Sequence, residues 1–192
     1  MTSPAVVRIF FAIDLLAESK TRLGQLIGSL KKKARSSAIR WTRPENLHIT
    51  LQFLAKVQTE HVPVILEQVR KKLAESKMPL PRIQIGKLQV FPNPFRPRVI
   101  VLEIQPQEPL MQLSNVIGQG ILATGYEIDT RPYRAHMTIG RIKHSQHTTV
   151  SFLTEFSEFV QEEALAIGGV TLFRSDPQPE GSQYTALAKL EW

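Results

Sequence analysis

The run VVRIFFAIDL at residues 6–15 is rich in β-branched and aromatic residues, which predicts a buried strand with Arg8, Phe10 and Ala12 sharing one face. The period then changes. Leu23, Leu26, Ile27 and Leu30 recur at i, i+3, i+4 and i+7, the spacing of one helix face, over residues 17–34. Strand-like segments follow at 39–42 and 47–54, separated by Arg43-Pro44-Glu45-Asn46. Proline has no N–H to give to a sheet ladder, so this tetrapeptide is expected to lie outside the strand and feed it. Val64, Ile65, Gln68, Val69 and Leu73 keep a helical spacing and predict a second helix over 60–76. Strands are expected near 82–91 and 98–104, joined by the proline-rich segment at 92–97.

The second half repeats this order. The strand VIVLEI at 99–104 leads to a predicted helix at 109–123, an extended stretch, Arg131-Pro132, and a strand at 135–142. A short amphipathic segment near 149–159 and strands near 164–174 and 184–191 complete the chain. A strand-helix-strand unit used twice predicts two similar lobes around a pseudo-twofold axis, forming one bilobal domain over residues 1–192.

The repetition extends to individual residues. Arg43-Pro44-x-x-x-His48-x-Thr50 recurs as Arg131-Pro132-x-x-x-His136-x-Thr138, in a chain with 5 histidines. Alternate residues of a strand share a face, so His48 and Thr50 should point one way, as should His136 and Thr138, with Ile49, Leu51, Met137 and Ile139 turned to the core. A lone His-x-Thr on a strand usually marks the edge of a core. Two in matching frames, each after a strand-helix unit, point to one shared catalytic site. An unperturbed imidazole titrates near pH 6.5, so one ring can accept a proton while the other donates one. Phosphodiester hydrolysis or transesterification needs that division of labour, and the threonine hydroxyls can donate to phosphoryl oxygens.

Composition narrows the setting. At 192 residues the chain can bury roughly 70% of its unfolded surface, and with 42% hydrophobic and 21% charged residues it resembles an ordinary globular protein. Cysteine is absent, which excludes disulfides, thiolate metal sites and a cysteine nucleophile. No apolar run is long enough for a membrane helix and no signal-peptide pattern opens the chain, so a cytoplasmic location is expected. The 24 Lys+Arg against 17 Asp+Glu, net +7, favour a polyanionic partner such as RNA, although Lys31-Lys32-Lys33 at a helix end would complement the helix dipole in any case. Neither a metal nor a cofactor is required. Glu45 and Asp129 are the carboxylates near the motifs in sequence. His144 and His147 lie in a polar stretch expected to be a solvated loop, His61 is expected at the surface, and Trp41 is expected to be a strand-end core residue.

With its paired motifs HITL at 48–51 and HMTI at 136–139 and its RIFFAIDL strand, the sequence resembles the two-histidine (2H) phosphoesterases. Within them it looks most like the bacterial and archaeal RNA 2′,3′-cyclic phosphodiesterases, long called 2′-5′ RNA ligases. The likeness runs through ENLHITLQFL and a tail with Leu172-Phe173-Arg174-Ser175, Gly181 and Tyr184. It departs at Ala55, where glycine is usual, and at Ala135, where proline often precedes the second histidine.

The resemblance implies an α+β, bilobal, pseudo-twofold fold with two mainly antiparallel sheets lining a central cleft and helices outside. It implies metal-independent opening of an RNA 2′,3′-cyclic phosphate end to a 2′-phosphomonoester by a monomer, with reversible 2′-5′ ligation open to the same groups. His48 would be the general acid, His136 the general base, Thr50, Thr138 and Arg141 the phosphate ligands, and Phe53 a stacking surface for the nucleobase or else a core residue. Phe53 and Arg141 each stand five residues after a histidine, an odd offset that would place them on the opposite strand face unless a bulge intervenes. The remaining readings are a 2H enzyme for a small cyclic nucleotide and a non-catalytic RNA-binding module.

Overall fold

The computed structural model describes residues 5–34, 37–93, 95–143, 164–179 and 181–191. In chain order the elements are β1 (Val6–Leu15), α1 (Ala17–Ala34), β2 (Ile39–Trp41), β3 (His48–Gln58), α2 (Val62–Ser76), β4 (Gln84–Phe91), β5 (Val99–Gln105), α3 (Gln107–Leu122), β6 (His136–Ile142), β7 (Ile167–Asp176) and β8 (Gln183–Leu190). Each predicted strand and helix within the described residues is present, with ends shifted by a few positions. The amphipathic segment expected at 149–159, with His144 and His147, lies outside them.

The strands form two four-stranded antiparallel sheets, β3-β1-β7-β8 and β2-β6-β5-β4, so the chain is α+β. In each sheet a motif strand lies against the strand that opened its unit, β3 against β1 and β6 against β5. That is the repeat the sequence predicts, but the lobes are not the two halves of the chain. β2 comes from the first half and pairs with β6, while β7 and β8 close the chain and pair onto β1. Hydrophobic periodicity reports which face a strand buries and is silent on which sheet receives it, so this exchange was not readable from pattern alone.

Alternation places Ile9, Phe11 and Ile13 of β1 wholly inside, with Ile49, Leu51, Met137 and Ile139 from the motif strands buried alongside. From α1, Leu23, Ile27 and Leu30 join the same core, while α2 and α3 pack on each other. Gly120 permits that last approach. A Cβ there would come within 2.6 Å of Val69 Cα.

Candidate active site

Each Arg-Pro element turns the chain into a motif strand. Pro44 opens a short 3-10 turn, Pro44–Asn46, and rests on α1 at Gly24, where a Cβ would stand 3.0 Å from Pro44 Cγ. Asn46, at the end of the turn, presents its carbonyl to His48 Nδ1 at 2.7 Å. Arg134, two residues before His136, presents its carbonyl to His136 Nδ1 at the same 2.7 Å. A carbonyl can only accept, so both Nδ1 atoms carry hydrogen and Nε2 is the nitrogen left to gain or lose a proton in each ring. His48 Nε2 lies 3.0 Å from Thr50 Oγ1, whose hydroxyl donates to it when the ring is neutral.

The odd offset is resolved by a pair of matching bulges. Phe11 pairs with Gln52 and Ala12 with Thr50, so Leu51 is an extra residue in β3; Ile100 pairs with Gly140 and Val101 with Thr138, so Ile139 is an extra residue in β6. Both are the fourth residue of their motif. Two consecutive buried positions follow each threonine, and Phe53 and Arg141 then return to the histidine face. The bulged carbonyls are held, that of Leu51 by Ser114 Oγ at 2.7 Å and that of Ile139 by the Thr42 amide at 2.9 Å. Phe53 is 47% exposed, which removes it from the core and leaves it as a surface ring across the strand pair from Phe10.

Two carboxylates escaped the sequence reading. Asp14 is the register partner of His48 across β1–β3, and Glu103 is the register partner of His136 across β5–β6. Asp14 also holds Lys20 Nζ at 2.8 Å. A signal for both is present, because each apolar strand carries one acid near its end, in Ile13-Asp14-Leu15 and Leu102-Glu103-Ile104.

The surroundings of the two rings differ. His48 packs against Phe10 with centroids 4.8 Å apart, Tyr184 at 5.2 Å edge-on and Phe173 at 6.5 Å. Burial in this aromatic box lowers its pKa to about 4, with the positive charges of Arg141 and Lys20 acting in the same direction, against the Asn46 carbonyl and Asp14. Beside His136 stands Phe91, edge-on at 5.3 Å, with the Arg134 guanidinium 5.1 Å above the Phe91 ring.

Tyr133, before β6, reaches across to the other sheet and donates from Oη to the Thr50 carbonyl at 3.0 Å, while Thr42, which follows β2, donates from Oγ1 to the Thr138 carbonyl of the adjacent strand β6 at 2.9 Å. Burial pushes the Tyr133 hydroxyl up, which keeps it a donor. β3 and β6 are in contact, and the charge of Arg141 reaches His48 in the opposite sheet.

The site thus combines two Nδ1-anchored histidines, each with a threonine hydroxyl two residues on, in facing sheets. The LigT-like phosphoesterase family model matches residues 13–101. The RNA 2′,3′-cyclic phosphodiesterase of Methanocaldococcus jannaschii is 31% identical over 137 residues, covering 71% of this chain and 72% of that protein. The chain belongs to this family of 2H phosphoesterases. The Methanothermobacter thermautotrophicus RNA 2′,3′-cyclic phosphodiesterase is 29% identical over 181 residues, 93% of this chain and 95% of its own. The fold is that of E. coli LigT, solved with 3′-AMP, at a TM-score of 0.70 and 24% identity over 96% of this chain and 97% of that one.

The 2H residues named from sequence therefore fall into two sets, His48, Thr50 and Phe53 on one sheet and His136, Thr138 and Arg141 on the other. His61 is exposed, as expected, and meets Tyr126 Oη at 2.8 Å. Trp41 packs partly buried against the core and also lines an open pocket beside Arg141 and Tyr184. No helix among the described residues is long and apolar enough to cross a membrane.

Proposed function

We propose that the protein hydrolyses the 2′,3′-cyclic phosphate end of RNA to a 2′-phosphomonoester, through general acid and base catalysis by the two histidines. The observation that carries this reading is the matched pair of Nδ1 anchors at 2.7 Å, which leave two Nε2 atoms, one from each sheet, for proton transfer. The names of the relatives above support the substrate class. In the forward direction His136 Nε2 takes a proton from water as its oxygen attacks phosphorus. The P–O3′ bond breaks, and O3′ receives a proton from His48 Nε2. Thr50, Thr138 and Arg141 donate to the phosphoryl oxygens as charge builds on them. Phe53, exposed on the histidine face, offers its ring to the terminal base. A ribose 5′-hydroxyl in place of water would give a 2′-5′ linkage from the same groups.

Both histidines come from one chain, so a monomer suffices, and the cytoplasm is the compartment such RNA chemistry implies. We take the two sheets, which share one continuous core, as lobes of a single domain.

With a pKa of about 4 His48 is neutral at pH 7, so as the acid it must take up its proton with the substrate. A phosphate anion at hydrogen-bonding distance favours that uptake, because an opposite charge stabilises imidazolium. The lowered pKa on its own favours the reverse roles, with His48 as base. A cyclic phosphate with sulfur in place of O3′ separates the two, since a thiolate leaves without a proton. With His48 as acid, His48→Ala regains activity on the sulfur substrate and His136→Ala does not. Rescue of His136→Ala instead would reverse the assignment. Turnover in EDTA is expected to equal turnover without it.

A further inference from the structure

Beside His48 lies an open pocket of about 950 Å³, whose lining includes Arg40, Arg43 and Arg141, with Glu45 as the one carboxylate among the described lining residues. That volume is near the top of the roughly 300–1,000 Å³ range of ligand sites and more than a single phosphate needs. Tyr184 belongs to both places, lining the pocket and standing edge-on to His48 at 5.2 Å, so the pocket continues directly from the catalytic ring's surroundings. Across β2–β6, Arg40 stands directly opposite Arg141. Like charges in that position repel, and neither arginine has an ion-pair partner among the described residues, so a second anion at Arg40, beside the reacting phosphate that Arg141 receives, would relieve the repulsion. The loop after β7 closes the far side. Asn46 Nδ2 donates to the Ser182 carbonyl at 3.1 Å, and a Cβ on Gly181 would stand 4.0 Å from the Arg40 guanidinium carbon.

The chemistry specifies an occupant. In an in-line opening of a terminal cyclic phosphate, water and the leaving O3′ lie on opposite sides of phosphorus. The ribose carries O3′, so the nucleoside lies on the side of the acid, and the rest of the RNA, joined through its 5′-oxygen, continues on that side. With His48 as acid, that is the side of the arginine pocket.

We propose that the pocket is a subsite for the RNA strand immediately 5′ of the terminal nucleotide, with Arg40 receiving the next backbone phosphate. The assignment rests on the catalytic reading above, in particular on His48 as the acid. It makes the protein an enzyme that distinguishes an RNA end from a free cyclic nucleotide by the phosphate one residue upstream.

The test compares a 2′,3′-cyclic mononucleotide with a short oligoribonucleotide ending in the same cyclic nucleotide. In Arg40→Gln the ratio of kcat/KM for the oligonucleotide to that for the mononucleotide falls about tenfold, the loss of one charge-assisted phosphate contact. The slope of log kcat/KM for the oligonucleotide against log salt becomes shallower by about one. Gln183→Glu, which places a carboxylate in the same lining, lowers the ratio in the same direction. Because each ratio is internal to one protein, a loss of folded enzyme does not change it. A wild-type ratio near one, or a ratio unmoved in both variants, overturns the subsite. A wild type that opens neither substrate overturns the catalytic reading itself and the subsite with it.

Discussion

His48 and His136 share a frame and differ in what surrounds it. In both, Nδ1 donates to the carbonyl two residues earlier at 2.7 Å, a threonine follows two residues on, the fourth motif residue is bulged, and a carboxylate faces the histidine from the neighbouring strand. His48 stands on a sheet edge, inside a box made by Phe10, Phe173 and Tyr184; His136 stands on a strand flanked by β2 and β5, with Phe91 as its described ring neighbour. Duplication thus gives both rings the same Nδ1 anchor and leaves the same Nε2 atom of each for the proposed proton transfer. The aromatic lining around His48 holds its pKa down, to about 4. Two identical motifs on their own would give two equivalent histidines and no acid or base.

The largest way to break the symmetry is to remove one ring at a time. His48→Ala and His136→Ala are each expected to lower kcat on a cyclic-phosphate RNA end by about 10²-fold to 10⁴-fold, the usual contribution of one general acid or base. The double variant should cost much less than the product of the two, because groups acting as a unit are not additive. Single-turnover rates would measure this. Fully multiplicative losses would mean that the rings work independently.

How much of this was legible in the sequence follows from the same comparison. The paired motifs single out both histidines and both threonines, because spacing fixes which residues share a strand face, and the need for a bulge arises from the roles that the family resemblance implies for Phe53 and Arg141. Spacing could not pin the bulges. Their carbonyls are held by Ser114 and by the Thr42 amide, contacts made across long stretches of chain. The aromatic box was hidden for the same reason, since Phe10, Phe173 and Tyr184 come from three strands joined only in the sheet. Asp14 and Glu103 leave a fainter trace, one acid near the end of each apolar strand, in IFFAIDL and VIVLEI.

The titration of His48 gives the next largest effect and sharpens the contrast. Its folded pKa of about 4 lies below the unfolded value near 6.5, so between those limits the unfolded chain binds the extra proton. Stability from this source is complete above about pH 6.5 and is lost as pH falls toward 4, by at most about 1.4 kcal/mol per pH unit. Urea unfolding at pH 6.5 and 5.0 measures it, with His48→Asn as the reference that keeps a donor for the Asn46 carbonyl and cannot titrate. Wild type should lose about 1 to 2 kcal/mol more than the variant across that interval. Equal losses would show that the box does not hold the ring neutral.

The smallest effect tests what joins the two frames. Tyr133 Oη crosses to the other sheet to donate to the Thr50 carbonyl at 3.0 Å, and Thr42 Oγ1, in the segment that leads from β2 to His48, donates to the Thr138 carbonyl of neighbouring β6 at 2.9 Å. Tyr133→Phe and Thr42→Val each delete one donor and leave an acceptor behind, at a cost of about 1 kcal/mol by urea unfolding. The activity consequence should be larger for Tyr133→Phe. Thr42 also holds the β6 bulge through its backbone amide, which the valine variant keeps, whereas Tyr133 reaches the Thr50 carbonyl through its side chain alone. Thr50 is the residue whose hydroxyl meets His48 Nε2, so a loosened Thr50 should lower kcat with little change in KM. If Thr42→Val lowered kcat as much, the two stitches would be equivalent, and the asymmetry of the site would reside in the aromatic box alone.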